Sequence, residues 1–237
     1  MKRGKSLREK RVILCVAPHP DDETLGCGGT LIKHGQENCE LHWLIVTEML
    51  GQKDLDKDRA KVREDEISNV SNLFGFASVH RLGFPSTRLD SVPMVEIVDA
   101  ITKVVQEVRP EIVYLPYRND AHSDHSVVFD STVAATKSFR HPYVKSLCVY
   151  ETVSETEFGL RIDDPGFRPN LFVDISSFLD AKLEAMKLYG DEIEAFPFPR
   201  SEESIRSLAK LRGSQSGYDS LNTLVLLPLI SHSSSEI

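Results

Sequence analysis

Short, almost uninterrupted apolar runs alternate with amphipathic stretches through the first half of this chain, and few folds accept that pattern. VILCVA at 12–17, LHWLIVT at 41–47, SVHRL at 78–82 and IVYLP at 112–116 read as strands buried on both faces. The segments between them read as helices: 25–34, 57–74 with Gly75 as its stop, and 92–108 ending before Pro110. This succession predicts an α/β fold, a Rossmann-like parallel sheet flanked by helices on both faces. The second half is less regular. It reads as a helix starting near Asp124, strands at 146–151 and 170–175, helices at 176–189 and 202–211, and a Pro-rich loop at 194–201. The length of 237 residues suits one domain, 1–237, with a basic N-terminal extension at 1–11 and a polar, fraying tail at 231–237.

Charge and hydropathy remove whole classes of function. A formal net charge of −8 argues against nucleic-acid binding. No apolar run reaches the roughly 18 residues of a membrane span, and the nearest, LVLLPLI at 224–230, is broken by Pro228. The apolar run at 12–17 is too short for a secretory signal, so the expected location is cytoplasmic. Cys15, Cys27, Cys39 and Cys148 form no C-x-x-C pair and are expected to be reduced.

The residues that carry chemistry follow two of the strands. After the first come Pro18-His19-Pro20-Asp21-Asp22-Glu23, then Thr24 and a helix containing Gly26, Gly28 and Gly29. A helix cap would explain one of these carboxylates, but not an imidazole and three carboxylates together. Three acids repel a phosphate, and the glycines match neither G-x-G-x-x-G nor a P-loop. After the fourth strand come Asp120-Ala121-His122-Ser123-Asp124-His125. Two histidines three apart with a carboxylate between them can supply one metal ligand and one acid or base. Either cluster alone reads as a capped helix start. Two of them at equivalent strand ends point to a metal site, because an α/β sheet gathers ligands at the carboxyl ends of its strands.

Pro18 to Glu23 together with His122 to His125 resemble the metal-dependent de-N-acetylases of the PIG-L/LmbE type. The likeness extends to Arg63-x-x-Glu66, to Leu82-Gly83-Phe84-Pro85 through Thr87-Arg88-Leu89-Asp90, and to Tyr150-Glu151, Pro199-Arg200-Ser201 and Arg212-Gly213. One departure is Leu221-Asn222-Thr223-Leu224, where members often carry Ala-Glu-Ala-Phe. The resemblance implies that His19, Asp22 and His125 hold one divalent metal, zinc foremost with Fe2+ open, and that Asp21 is the general base. It implies that a protonated His122, held by Asp124, faces the developing oxyanion, and that Arg63 contacts substrate. By composition alone Arg63 reads as a solvated helix ion pair with Glu66. Asp120 fits the family's Asp-x-His-x-Asp-His pattern, either positioning the loop or making an Asx turn.

The implied activity is hydrolysis of the acetyl group from an N-acetylated amino sugar conjugate of the N-acetylglucosamine type, a small-molecule partner; a homo-oligomer is left open. Within metal chemistry the runner-up is an iron enzyme, because two histidines and one carboxylate also make the oxygenase facial triad. The βαβ pattern does not favour it. Further alternatives are another amidase on the same metal site and a non-catalytic or nucleotide-binding Rossmann-like protein. The last lacks any phosphate fingerprint after its strands.

Overall fold

The computed structural model describes residues 10–48, 57–160 and 163–227. Most of the basic extension, 1–9, and the tail at 231–237 lie outside those residues. In chain order the elements are β1 (Val12–Ala17), α1 (Asp22–Gln36), β2 (Glu40–Glu48), α2 (Lys57–Phe74), β3 (Ser78–Pro85), α3 (Met94–Val108), β4 (Ile112–Pro116), α4 (Ser123–Ala135), β5 (Ser146–Tyr150), β6 (Leu171–Asp174), α5 (Leu179–Lys187), α6 (Glu202–Ser214) and β7 (Leu221–Leu227).

The described strands form one sheet in the order β3-β2-β1-β4-β5-β7-β6. Strands β1 to β5 are parallel, and β1, β2 and β4 are buried as their apolar runs predict, while β3 at the sheet edge is only half-buried; β7 runs antiparallel to both β5 and β6. The sheet is therefore mixed. Its antiparallel strand is the apolar run at 224–230, read in the sequence only as too short for a membrane span; its described part, to Leu227, is strand. No described helix is long and apolar enough to cross a membrane.

Period-two alternation sends successive β1 side chains to opposite faces. Ile13, Cys15 and Ala17 join a core with Trp43, Leu31 of α1, Phe74 of α2, Leu183 of α5 and Ile205 of α6. Leu14 and Val16 join the other, with Ile97 and Ile101 of α3 and Val128 of α4. Helix α1 reaches its close packing through its glycines. A Cβ on Gly26 would lie 2.2 Å from the Tyr150 ring, and one on Gly29 would lie 2.8 Å from Ile175. Those glycines serve packing, which agrees with their not reading as a phosphate loop.

The topology fixes where a site can form. From β1 the chain moves outward through β2 to β3, then returns through α3 to β4 on the other side of β1. The strand order reverses between the paired strands β1 and β4. A crevice therefore opens above their carboxyl ends.

Candidate metal centre and catalytic pocket

The chain leaves β1 through Pro18-His19-Pro20. Thr47 of β2 pins this turn, its N–H and hydroxyl donating to the Pro18 carbonyl at 3.0 and 2.8 Å. Asp21 sits at the N-cap position of α1 with φ 132° and ψ −30°, a backbone costing an L-residue on the order of 1–3 kcal/mol. Its side chain caps nothing. Instead Asp21 Oδ2 accepts a 2.6 Å hydrogen bond from Arg200 Nη1. Burial and the neighbouring Asp22 push the Asp21 carboxyl up, and Arg200 opposes them. Glu23 lies beneath. It accepts from the Asp21 N–H at 3.1 Å, the Tyr189 hydroxyl at 2.7 Å and the Thr24 hydroxyl at 2.5 Å. Burial pushes Glu23 up to about 7 against those donors. Glu23 thus fixes the shape of the turn.

The second turn follows β4. His122 is the N-cap of α4, its Nδ1 accepting from the Asp124 N–H at 3.1 Å. His125, one turn into the site, is buried, with Nδ1 2.7 Å from Asp120 Oδ2. Thr156 donates to the other Asp120 oxygen at 2.6 Å. Asp120 therefore positions both the loop and the ring, resolving the two readings left open for it.

Asp124 departs from its expected role. Its carboxylate accepts from the Thr87 N–H at 2.8 Å and the Leu89 N–H at 3.2 Å, and it lies 3.1 Å from His19 Nε2. Its distance to His122 Nδ1 is 4.0 Å, and that nitrogen is already an acceptor. Burial, with the charge of His19 beside it, lowers His122 to about 4. With Nδ1 accepting from the Asp124 N–H, a neutral His122 would carry its ring proton on Nε2. The expected pairing of Asp124 with His122 is long in this structure, at 4.0 Å, and the nearer partners of Asp124 are the Thr87 and Leu89 amides and His19.

His19, Asp22 and His125 each offer one ligand atom, all within 4.8 Å of one another. Asp22 Oδ2 lies 3.2 Å from His19 Nδ1 and 3.3 Å from His125 Nε2. The far nitrogen of each ring is occupied by a carboxylate, Asp124 for His19 and Asp120 for His125. That arrangement fixes each tautomer and turns the other lone pair inward. Burial disfavours charged imidazoles, yet hydrogen bonds to Asp124 and Asp22 raise His19 to about 9, and Asp22 with Asp120 raises His125 to about 10. The spot stabilises positive charge. Two imidazoles and one carboxylate are also the donor set of catalytic zinc sites, so the residues fit a divalent metal. A second grouping, His19 with His122 and Asp124, fits less well because Asp124 is engaged by two backbone N–H groups.

The adjoining pocket, of about 180 Å³, is lined by His19, Asp21, His122, Arg63, Arg81, Glu192 and Arg200 among others. Arg63 does reach it, but not as a free cation: Nη2 donates to Glu192 at 2.8 Å and Nη1 lies 3.1 Å from Glu66. Arg200 also bonds Ser154 at 2.7 Å, Glu192 at 2.9 Å and Glu155 at 3.3 Å. Sequence reasoning assigned Arg200, Glu192 and Tyr189 no role. The available signal was Pro199-Arg200-Ser201, since Ser201 caps α6 through the Ser204 N–H and so fixes Arg200 just before the helix. The divergent segment 221–224 is part of β7. There Asn222 ties Thr30 and the Gly26 carbonyl, and Thr223 donates to Glu151.

The family model described as PIG-L: GlcNAc-PI de-N-acetylase matches residues 14–136, which contain both turns. The diacetylchitobiose deacetylase of Thermococcus kodakarensis is 27% identical, the alignment covering 92% of this chain and 83% of the relative. A 1D-myo-inositol 2-acetamido-2-deoxy-alpha-D-glucopyranoside deacetylase of Rhodococcus jostii is 25% identical over 81% of this chain and 84% of its own. Among solved structures, a conserved protein of Thermus thermophilus is similar with a TM-score of 0.73 at 27% identity, covering 96% of this chain and 100% of that one.

Proposed function

Because the chain belongs to the PIG-L family of de-N-acetylases, we propose that it hydrolyses the acetamide of N-acetylated amino sugar conjugates on a divalent metal held by His19, Asp22 and His125. The observation carrying this reading is the convergence of those three donors, each imidazole fixed by its own carboxylate, beside the uncapped Asp21. The chemistry a divalent metal, zinc by its fit to these donors, supplies here is polarisation of the amide carbonyl and acidification of nearby water.

The protein's own groups do the rest. Asp21, buried and held by Arg200, takes a proton from the attacking water and passes it to the departing amine nitrogen. Acetate and a free amino sugar leave. Arg200 positions that carboxylate, and the strained backbone at Asp21 aims it away from the helix and toward the pocket. His122, neutral with its proton on Nε2, donates a hydrogen bond to the oxygen on which negative charge develops. Asp120 and Asp124 hold the two histidine ligands.

The test is acetate release from N-acetylglucosamine derivatives, measured with metal content in one preparation. Equal amounts of acetate and primary amine, abolished by a chelator and restored by zinc, support the reading. Zinc-loaded protein releasing no acetate from any N-acetylated sugar would sink it. If ferrous iron alone restores turnover, the zinc assignment fails and the hydrolase stands.

A further inference from the structure

The pocket beside Asp21 contains three arginines, and each already stands in ion pairs with carboxylates. Arg63 is held by Glu66 and Glu192, Arg200 by Asp21, Glu155 and Glu192, and Arg81 by Glu48 and Glu64. Apart from Glu64, which is 57% exposed, these groups are sheltered: the Arg200 side chain is 17% exposed and those of Glu192, Arg81 and Glu48 are 29%, 30% and 22% exposed. Twice as many carboxylates as guanidiniums face one another across this wall. Glu192 is central, bonding Arg63 with one oxygen and Arg200 with the other.

We infer that this wall selects substrates whose aglycone, the group linked to the N-acetylated sugar, is uncharged and rich in hydroxyls, and disfavours phosphate and carboxylate conjugates. The inference rests on the deacetylase reading and narrows its substrate class. A phosphate approaching Arg63 or Arg81 meets carboxylates already beside the guanidinium, which offset its charge and repel the newcomer. A hydroxyl, being uncharged, meets no such repulsion. Each paired carboxylate oxygen retains lone pairs, so the same wall accepts hydrogen bonds from a sugar or polyol. Glu192, Glu48 and Glu64 are on this account specificity-determining residues that act by neutralising arginines.

The probes are two α-anomeric derivatives of N-acetylglucosamine, the uncharged methyl glycoside and the anionic 1-phosphate. With zinc-loaded protein at about 0.02 M salt, kcat/KM for the methyl glycoside should exceed that for the phosphate by about tenfold or more. Raising salt to about 0.3 M should narrow the gap, because repulsion between exposed charges is screened over a few ångströms there. Glu64→Gln, at the exposed rim, and Glu192→Gln, at the centre, should each shift the phosphate-to-glycoside ratio of kcat/KM upward, Glu192→Gln more. A preference for the phosphate, or ratios that neither substitution moves, overturns the inference while acetate release keeps the deacetylase reading. If neither probe yields acetate, that reading fails on these sugars and calorimetric binding decides the charge question. Tighter binding of the methyl glycoside supports the inference, and tighter binding of the phosphate overturns it.

Discussion

Strands β1 and β4 deliver His19, Asp22 and His125 through turns of a few residues, whereas Arg200 reaches Asp21 from 179 residues away along the chain. The parallel half builds the proposed metal centre from local geometry: a strand ends, the chain turns, and a helix begins with its polar side chains aimed into the crevice. The antiparallel half contributes none of the three proposed ligands. It supplies Tyr189 and Arg200, which brace the first turn, and Glu192, which ties Arg200 to Arg63. The division implies that chemistry resides in the front half and its precision in the back.

The widest separation of the two halves comes from the front. Asp21→Asn preserves shape and removes basicity, so turnover should fall by about 10² to 10⁴ with zinc content unchanged. His125→Ala should instead lose the metal. Zinc analysis alongside kcat for both proteins checks this. A metal-free Asp21→Asn protein would mean that Asp21 and Asp22 have exchanged roles.

Lys182 tests the joint between the halves. It lies buried in α5 and donates to the Leu25 carbonyl of α1 at 2.8 Å, and burial lowers it from 10.5 to about 8. Between those pH values the unfolded chain binds more protons than the folded one, so this group's contribution to stability rises with pH. Below about 8 both states are protonated, and the full cost of the buried charge is present. The stability difference between wild type and Lys182→Met should therefore move in favour of wild type across this window, by on the order of 3 kcal/mol. Denaturation midpoints that keep a constant separation between the two proteins throughout this pH range would show that Lys182 is not buried as an ammonium.

For the back half, Arg200→Met should lower kcat about tenfold, since a general base out of position is less effective but still present. Zinc content should not change. Arg200→Lys should recover only part of the loss, because an ammonium cannot reproduce the fork that bonds Asp21, Glu192 and Ser154 together. Full recovery by lysine would reduce Arg200 to a source of charge.

The same division explains what was legible in the sequence. Strands β1 and β4 match their read boundaries because a doubly buried parallel strand is a bare apolar run with polar residues at each end. Helix α2, described from Lys57, stops at Phe74 as its pattern and Gly75 predict. The two turns were legible because their residues are adjacent in sequence and have no sufficient structural explanation. Strand β7 was not: its run LNTLVLL has buried polar residues, Asn222 and Thr223, whose partners Thr30, Gly26 and Glu151 lie far off in sequence. Asp124 was paired with His122 by the family resemblance, whereas its nearest partners are the Thr87 and Leu89 amides and His19, which lie 37, 35 and 105 residues back along the chain. No local pattern joins Glu192 and Arg200 to the first turn, since they meet it only through the tertiary fold.

The smallest effect is the most discriminating. Tyr189, just beyond the end of α5, donates its hydroxyl to Glu23, and Glu23 in turn accepts the N–H of Asp21. Tyr189→Phe removes one hydrogen bond and leaves the ring packed. Glu23 keeps its bonds from Thr24 and from the Asp21 backbone, so the carboxyl is not stranded, and the loss of stability should be about 1 kcal/mol. If the back half supplies precision, kcat should also fall, but by less than the tenfold of Arg200→Met, because Tyr189 acts on the backbone of Asp21 through Glu23 and not on its carboxylate. Activity measured at a temperature below the melting transition recorded for each protein separates this from partial unfolding. A stability loss with kcat unchanged would make Tyr189 a packing residue and confine the bracing role to Arg200.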